Sequence, residues 1–339
     1  MKRITLKDLS KHLNLSTSTI SRALLDEKNI NATTKQRVLE AAQDLGYKPN
    51  ATALNLKTGK TKSIGFVVPE MVTPFSAKVL KGVQKVLYPL GYKVIILQSD
   101  EKPANERENL LLLERFNVDG IIINLCHETQ NQNLYKEIIE RGTPMVFFDR
   151  IPPATLEVSK VVVNDSIKAA LMVEHLLSVG CKKIVHLMGP SSVRNASERA
   201  NGYKRILTKH HILEPQLIVP CEGVSLQDGK KAVEKLLERG IEFDGIFAFT
   251  DTLAIGAMNY LLQHGKQIPE DVAIASFSGT ELSNYVFPPL TSVEQPLVKM
   301  GKAAGKLVLE HMQNLNAPAR TILLDAKLIY RSSTKGKAV

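Results

Sequence analysis

At 339 residues, 44% of them hydrophobic and none of them Trp, the chain is long for one domain and has aliphatic material for two or three cores. Three scattered cysteines (Cys126, Cys181, Cys221) without a CxxC exclude a disulfide framework and the usual zinc spacings, the charged helical start excludes a signal peptide, and no apolar run reaches the roughly 18 residues of a membrane span; a cytoplasmic protein without membrane contact is expected. Of the formal net charge of +10, +7 falls in residues 1–62, where twelve Lys and Arg face five Asp and Glu: the footprint of a nucleic-acid-binding module, although a merely solvated basic face fits the charge alone equally well.

Three short helical patterns come first. Thr5 is placed to cap one, with Asp8 in the capping-box position and Leu6, Leu9 and Leu13 on one face. Ser16 caps a second, with Ile20, Ala23 and Leu24 inward. A third starts near Thr33-Thr34, buries Val38, Ala41, Ala42 and Leu45 and stops at Gly46. None is long enough to be stable alone, so the three must share one small core. Two helices joined by a tight turn, the second opening on small polar residues, describe a helix-turn-helix. In that second helix Thr17 and Ser18 offer short hydrogen-bonding groups to base edges, and Arg22 reaches a guanine edge one turn later. A Ser/Thr-rich helix start is as often only a cap. Beyond Tyr47, Pro49 stops the third helix, Asn50 caps a short new one over about 50–58, and Gly59 ends it; so short a helix orders only when something holds it.

From Lys62 on, apolar runs alternate with amphipathic helices: Ser63–Val68, Tyr92–Leu97, Gly120–Asn124, Met145–Phe148, Lys160–Val163, Ile184–Leu187, Gly245–Phe249 and Val272–Ser276. Continuous Val/Ile runs separated by helices indicate parallel strands buried on both faces, and their number suggests two doubly wound α/β sheets.

The run Ile4 to Gly65 resembles the DNA-binding headpiece and hinge of the lactose-repressor family, which includes the purine and galactose repressors and the catabolite-control proteins. The resemblance is carried by Leu6-Lys7-Asp8, Ser16 to Arg22, Tyr47-Lys48-Pro49-Asn50, Ala53, Leu56 and Lys62-Ser63-Ile64-Gly65. It implies an all-α helix-turn-helix headpiece with hinge over 1–59, followed by a two-lobed, periplasmic-binding-protein-like α/β core with doubly wound parallel sheets. By that likeness one lobe holds 62–160 plus 291–322 and the other 161–290 plus 323–333, and Leu328 to Ser333 form the terminal strand. It further implies a homodimer on palindromic double-stranded operator DNA, contacted by Thr5, Ser16, Thr17, Ser18, Ser21, Arg22, Asn50, Ala53, Leu56 and Lys57. Leu56 is the side chain that wedges into the minor groove. Leu54 departs from the polar residue often found there in relatives.

Ligands of open α/β sheets sit at the carboxyl ends of the strands. Phe75, Asp149, Arg199 and Asp251 stand there, and carboxylates with a guanidinium fork suit polyol recognition. An Asp at a strand end also caps the next helix, so Asp251 has two readings. Where many sugar-binding relatives read Gly-Tyr-Asp or Gly-Phe-Asp, this chain has Ser276-Phe277-Ser278, and Ser278 supplies no carboxylate. The expected function is thus a transcription regulator, as the resemblance implies a repressor, controlled by a carbohydrate-related small molecule through Phe75, Asp149, Arg199, Asp251 and Ser278. The alternative is a catabolite-control-type regulator answering to a phosphoprotein partner, and the distant one a solute-binding protein. With no GxGxxG after the first strand and no clustered nucleophile and base, no enzyme, catalytic residue, cofactor or metal is expected.

Overall fold

The computed structural model describes residues 4–25, 29–47, 60–127 and 130–334, and its chain divides into two compact units, 1–61 and 62–339. In the first, helices span Leu6–Leu13, Thr17–Leu24 and Ala32–Asp44. Thr5 and Asp8 form the reciprocal capping box, with Asp8 N–H donating to Thr5 Oγ1 at 3.3 Å and Thr5 N–H to Asp8 Oδ2 at 2.8 Å. The third helix begins slightly earlier than its Thr-Thr pair suggests, because the Asn31 side chain accepts the Thr33 N–H and acts as the cap. Leu9, Ile20, Ala23, Val38, Ala41 and Ala42 are the buried centre on which the three helices converge.

The second unit contains twelve described strands: β1 (Ser63–Val68), β2 (Lys93–Gln98), β3 (Gly120–Ile123), β4 (Met145–Phe148), β5 (Ser159–Val163), β6 (Ile184–Met188), β7 (Ile218–Pro220), β8 (Gly245–Ala248), β9 (Ala273–Ser278), β10 (Thr291–Glu294), β11 (Thr321–Leu324) and β12 (Lys327–Ile329). They make two six-stranded sheets, ordered β11-β5-β4-β3-β1-β2 and β12-β10-β9-β8-β6-β7. The first sheet is wholly parallel; in the second, β12 alone runs antiparallel, against β10. The central strands β3, β4 and β8 are buried at every position, as strands covered by helices on both faces must be.

Sheet membership corrects the expected lobe boundaries. Strand β10 pairs with β9 and belongs to the second sheet, so 291–294 do not lie in the first lobe. Strand β5 stays in the first sheet to Val163, and β11 pairs with it to Leu324. The chain therefore passes between the sheets three times: just after β5, just after β10, and between β11 and β12. Strands β7, β10 and β11 are short, at three or four residues, and lie outside the runs that the sequence pattern picks out. The final strand is Lys327–Ile329, earlier than the expected Leu328 to Ser333, because the Ser333 Oγ turns back to donate to the Ile274 carbonyl.

Two helices from opposite ends of the first lobe, Pro74–Leu87 and Leu297–Gln313, pack at unusually close range. A Cβ on Gly82 would stand 2.3 Å from the Val298 carbonyl oxygen, and one on Gly301 1.9 Å from that of Val79, so only glycine permits this approach.

Candidate functional site

In the first unit, the second helix presents its opening turn to solvent. Ser16 Oγ accepts the Thr19 N–H at 3.1 Å and shares hydrogen bonds of 2.8 Å with Ser18 Oγ and Thr19 Oγ1. Capping and display therefore coexist: Ser16, Thr17, Ser18 and Arg22 are exposed, as is Thr5 at the neighbouring helix start, while Ser21 is half-buried. Helix N-terminal amides, short hydroxyls and a guanidinium, exposed together, have the chemistry that reading a groove requires. Asn50, Ala53, Leu56 and Lys57 lie outside the described residues.

In the second unit the carboxyl ends of the two sheets face each other across a cleft. Phe75, Asp149, Arg199, Asp251 and Ser278, far apart in sequence, all line it. Measured for the centres of water molecules its volume is about 80 Å³, and with one isolated water needing roughly 10–15 Å³ that is the scale of a monosaccharide. Phe75 is the second residue of the Pro74–Leu87 helix after β1, Asp149 follows β4 in a left-handed conformation (φ 56°), and Ser278 ends β9 at φ 117°, a strained backbone of the kind that clusters at ligand sites.

Arg199 is 2% exposed. Its Nε donates to Asp165 Oδ1 at 2.7 Å and its Nη1 to the Phe249 carbonyl at 2.6 Å. The guanidinium is sandwiched between the rings of Phe249 and Phe277, at 4.4 and 3.7 Å from their centroids. Burial pushes the Asp165 carboxyl up to about 6 despite the pull of Arg199, with Asp149 and Glu198 adding to the rise. Asp165 was not anticipated; it reads in sequence as one more first-turn acid.

Asp251 differs from its expected role. Its Oδ1 accepts from Ser276 Oγ (2.7 Å), Ser292 Oγ (2.8 Å) and Gly279 N–H (3.3 Å), and its Oδ2 from Thr280 N–H (2.6 Å) and Thr280 Oγ1 (2.9 Å). Five donors fill its lone pairs, so Asp251 shapes the 276–280 turn instead of offering a carboxylate to a ligand. The helix cap comes from Thr250, whose Oγ1 accepts the Leu253 N–H.

Unsatisfied groups lie elsewhere. Asn195 and Gln295 are each 4% exposed, and Asn195 Oδ1 and Gln295 Oε1 have no hydrogen-bond partner among the described residues. Gln295 Nε2 reaches Asp149 Oδ1 at 3.5 Å, a long contact. Both amides line the cleft. Sequence reading missed them because Gln295 follows the unrecognised β10 and Asn195 is an uncharged residue that no motif sets apart at the start of its helix.

The second basic residue of the cleft, Arg150, is neutralised from behind: its Nη1 lies 2.8 and 3.0 Å from the two oxygens of Glu101. Burial opposes ionisation of Glu101, but the Arg150 guanidinium and the contacts from His127 hold it below the usual carboxylate range. Among the described residues no group of three or more His, Cys, Asp or Glu is arranged to hold a metal ion. No described helix is long and apolar enough to cross a membrane.

The signature of bacterial regulatory proteins of the lacI family matches residues 5–50, and that of a periplasmic binding protein-like domain matches 173–334. A ribose operon repressor of Halalkalibacterium halodurans is 32% identical over 332 residues, covering 98% of this chain and 97% of that protein. Among solved structures, a lac repressor dimer bound to operator and an anti-inducer superposes with a TM-score of 0.87 over 98% of this chain and 99% of its own, at 23% identity. A LacI family regulator of Enterococcus faecium with bound ribose gives 0.69 over 80% of this chain and 98% of its own, at 28% identity.

Proposed function

Since the chain belongs to the lacI family of bacterial regulatory proteins, we propose that it is a homodimeric transcriptional repressor whose binding to palindromic operator DNA is set by an uncharged polyol held between its two core lobes. One observation carries the ligand class: every cation lining the cleft is already paired with a carboxylate, whereas its buried unsatisfied atoms, Asn195 Oδ1 and Gln295 Oε1, are acceptors. Glu70, Asp149 and Asp251 face Arg150 and Arg199 in the lining, and both arginines are neutralised by Glu101 and Asp165. A phosphate entering this cleft would lose its hydration to a site with a surplus of negative charge. Hydroxyl groups instead donate to Asp149, Asn195 and Gln295 and accept from Arg199 Nη2, which makes no hydrogen bond within the described residues.

Phe75 supplies a ring face against the sugar ring, and Ser278 a hydroxyl where a carboxylate would have demanded one more donor. The names of the relatives point to ribose as the first compound to try. In the headpiece, Thr5, Ser16, Thr17, Ser18, Ser21 and Arg22 meet the major groove and backbone, with Asn50, Ala53, Leu56 and Lys57 over the operator centre. Calorimetry with ribose, other free pentoses and hexoses, and their phosphate esters tests the ligand class. Saturable binding of a free sugar with loss of binding on phosphorylation supports it; tighter binding of the ester overturns it.

A further inference from the structure

The first lobe holds a second cavity, at the opposite ends of the strands from the cleft. It opens beside the starts of β4 and β5, under the end of the Leu297–Gln313 helix, and has a volume of about 300 Å³ for water centres. An apolar cavity of about half that size takes up benzene. Ile139, Pro144, Met145, Val158, Leu315 and Pro318 form the apolar part of its lining, and the exposed Glu157 stands at its edge. Leu315 stands 60% exposed at the rim.

Besides Glu157, one buried polar pair faces this lining. His311, 8% exposed, and Ser159, 3% exposed, are joined by a 2.6 Å hydrogen bond between His311 Nε2 and Ser159 Oγ. The same Oγ accepts the Arg320 N–H at 3.0 Å, so its own proton is free to go to Nε2. Burial lowers the His311 pKa and so favours the neutral ring; with Ser159 Oγ as the donor to Nε2, the ring proton sits on Nδ1. No hydrogen bond to that Nδ1 occurs within the described residues.

We propose that this cavity is a second small-molecule site, for a compact apolar molecule carrying one oxygen acceptor, of the phenol type, with its ring against Met145 and Leu315 and its oxygen on His311 Nδ1. The inference stands apart from the reading of the cleft. A sugar phosphate would meet the Glu157 carboxylate at the edge, a polyol finds few partners along the apolar walls, and a bare hydrocarbon leaves Nδ1 without one. Both cavities sit on the same elements: β4 runs from Met145 here to Asp149 in the cleft, and the Leu297–Gln313 helix starts two residues after Gln295 and carries His311 near its far end.

The test uses the full chain and 4-bromophenol. Crystals soaked in the compound are expected to show an anomalous bromine peak inside this cavity. In solution it should raise Tm in a saturable way, and Ala319→Phe, which fills the mouth from a half-buried loop position, should weaken binding at least tenfold while leaving the circular dichroism spectrum unchanged. A bromine peak only in the cleft, no peak at all, or undiminished binding by folded Ala319→Phe overturns the proposal.

Discussion

Ser276 Oγ lies 2.7 Å from Asp251 Oδ1 and 2.8 Å from Ser292 Oγ, which itself lies 2.8 Å from the same Asp251 oxygen, so two adjacent strands are tied through one buried carboxylate. This closed triangle explains why the turn after β9 holds Ser278 at φ 117° toward the cleft.

Asp251→Asn is expected to cost about 1–3 kcal/mol, the range for leaving a buried partner unsatisfied, because the amide NH₂ would face donors it cannot accept from. Ligand affinity should fall with it, through displacement of the 276–280 turn. Ser278→Ala should keep full stability and lose only affinity. Urea unfolding and calorimetry on both variants separate the two roles. Equal stability of Asp251→Asn and the parent would show that the five hydrogen bonds are not needed.

Arg199→Met strands Asp165 as a buried unpaired carboxylate and should destabilise the core by about 3–5 kcal/mol. Adding Asp165→Leu should restore most of that stability, since a well-packed apolar pair often replaces a buried ion pair at little cost. Sugar binding should stay absent in the double variant. If binding returned together with stability, Arg199 would serve the fold alone.

Two buried groups give opposite responses to acid. His186, fully buried and stacked on Tyr203 and Phe247, has its pKa lowered by burial from 6.5 to about 4, with its Nδ1 on the Phe247 carbonyl. Stability from this depressed pKa is present above 6.5 and lost as pH falls toward 4. Asp165, raised from 3.8 to about 6, works the other way: its stabilisation is full below 3.8 and disappears as pH rises through 6. Between these limits the two slopes, each up to about 1.4 kcal/mol per pH unit, largely cancel. In His186→Phe only the Asp165 slope is left, so going from pH 7 to pH 5 should favour the variant over the parent by on the order of 2 kcal/mol. Chemical denaturation of both proteins at the two pH values reads this difference directly; parallel changes would refute it.

Arg22→Ala should relax specificity at one guanine of each half-site and cost about 1–3 kcal/mol there. Lys57→Ala should weaken binding to all sequences about equally, as a phosphate contact does. Gel-shift titrations on the operator and on random DNA decide it. A uniform loss for Arg22→Ala on both would remove it from the base-reading face.

The headpiece helices were readable because caps and apolar spacing act locally: Thr5, Asp8 and Ser16 need only neighbours within one turn to declare themselves. The fully buried strands were equally plain, since β3 and β4 must be apolar on both faces. What stayed hidden depends on partners distant in sequence. Strand β10, Thr-Ser-Val-Glu, gains its place from β9 and β12, and its serine serves Asp251, a use invisible in the sequence. Arg199, Asp149 and Phe75 were located from their positions relative to strands. The choice between ligand contact and scaffold at Asp251 required counting donors around one carboxylate, and the pairing of Arg199 with Asp165 required the packing of the helices Asp165–Ser178 and Arg194–Lys209 side by side.

The three passages of the chain between the sheets have a consequence for descent. Strand β11 completes a sheet begun more than two hundred residues earlier, and β12, a few residues on, completes the other. A single recombination joint between β5 and β11 would graft the last strand of one parental sheet onto five strands of another parent, with buried side chains chosen for a different neighbour. A junction that leaves both sheets whole lies ahead of Lys62, at the boundary in sequence between the two compact units. New regulators of this architecture are therefore expected to arise by joining whole cores to whole headpieces, with ligand preference and operator preference inherited as separate parcels.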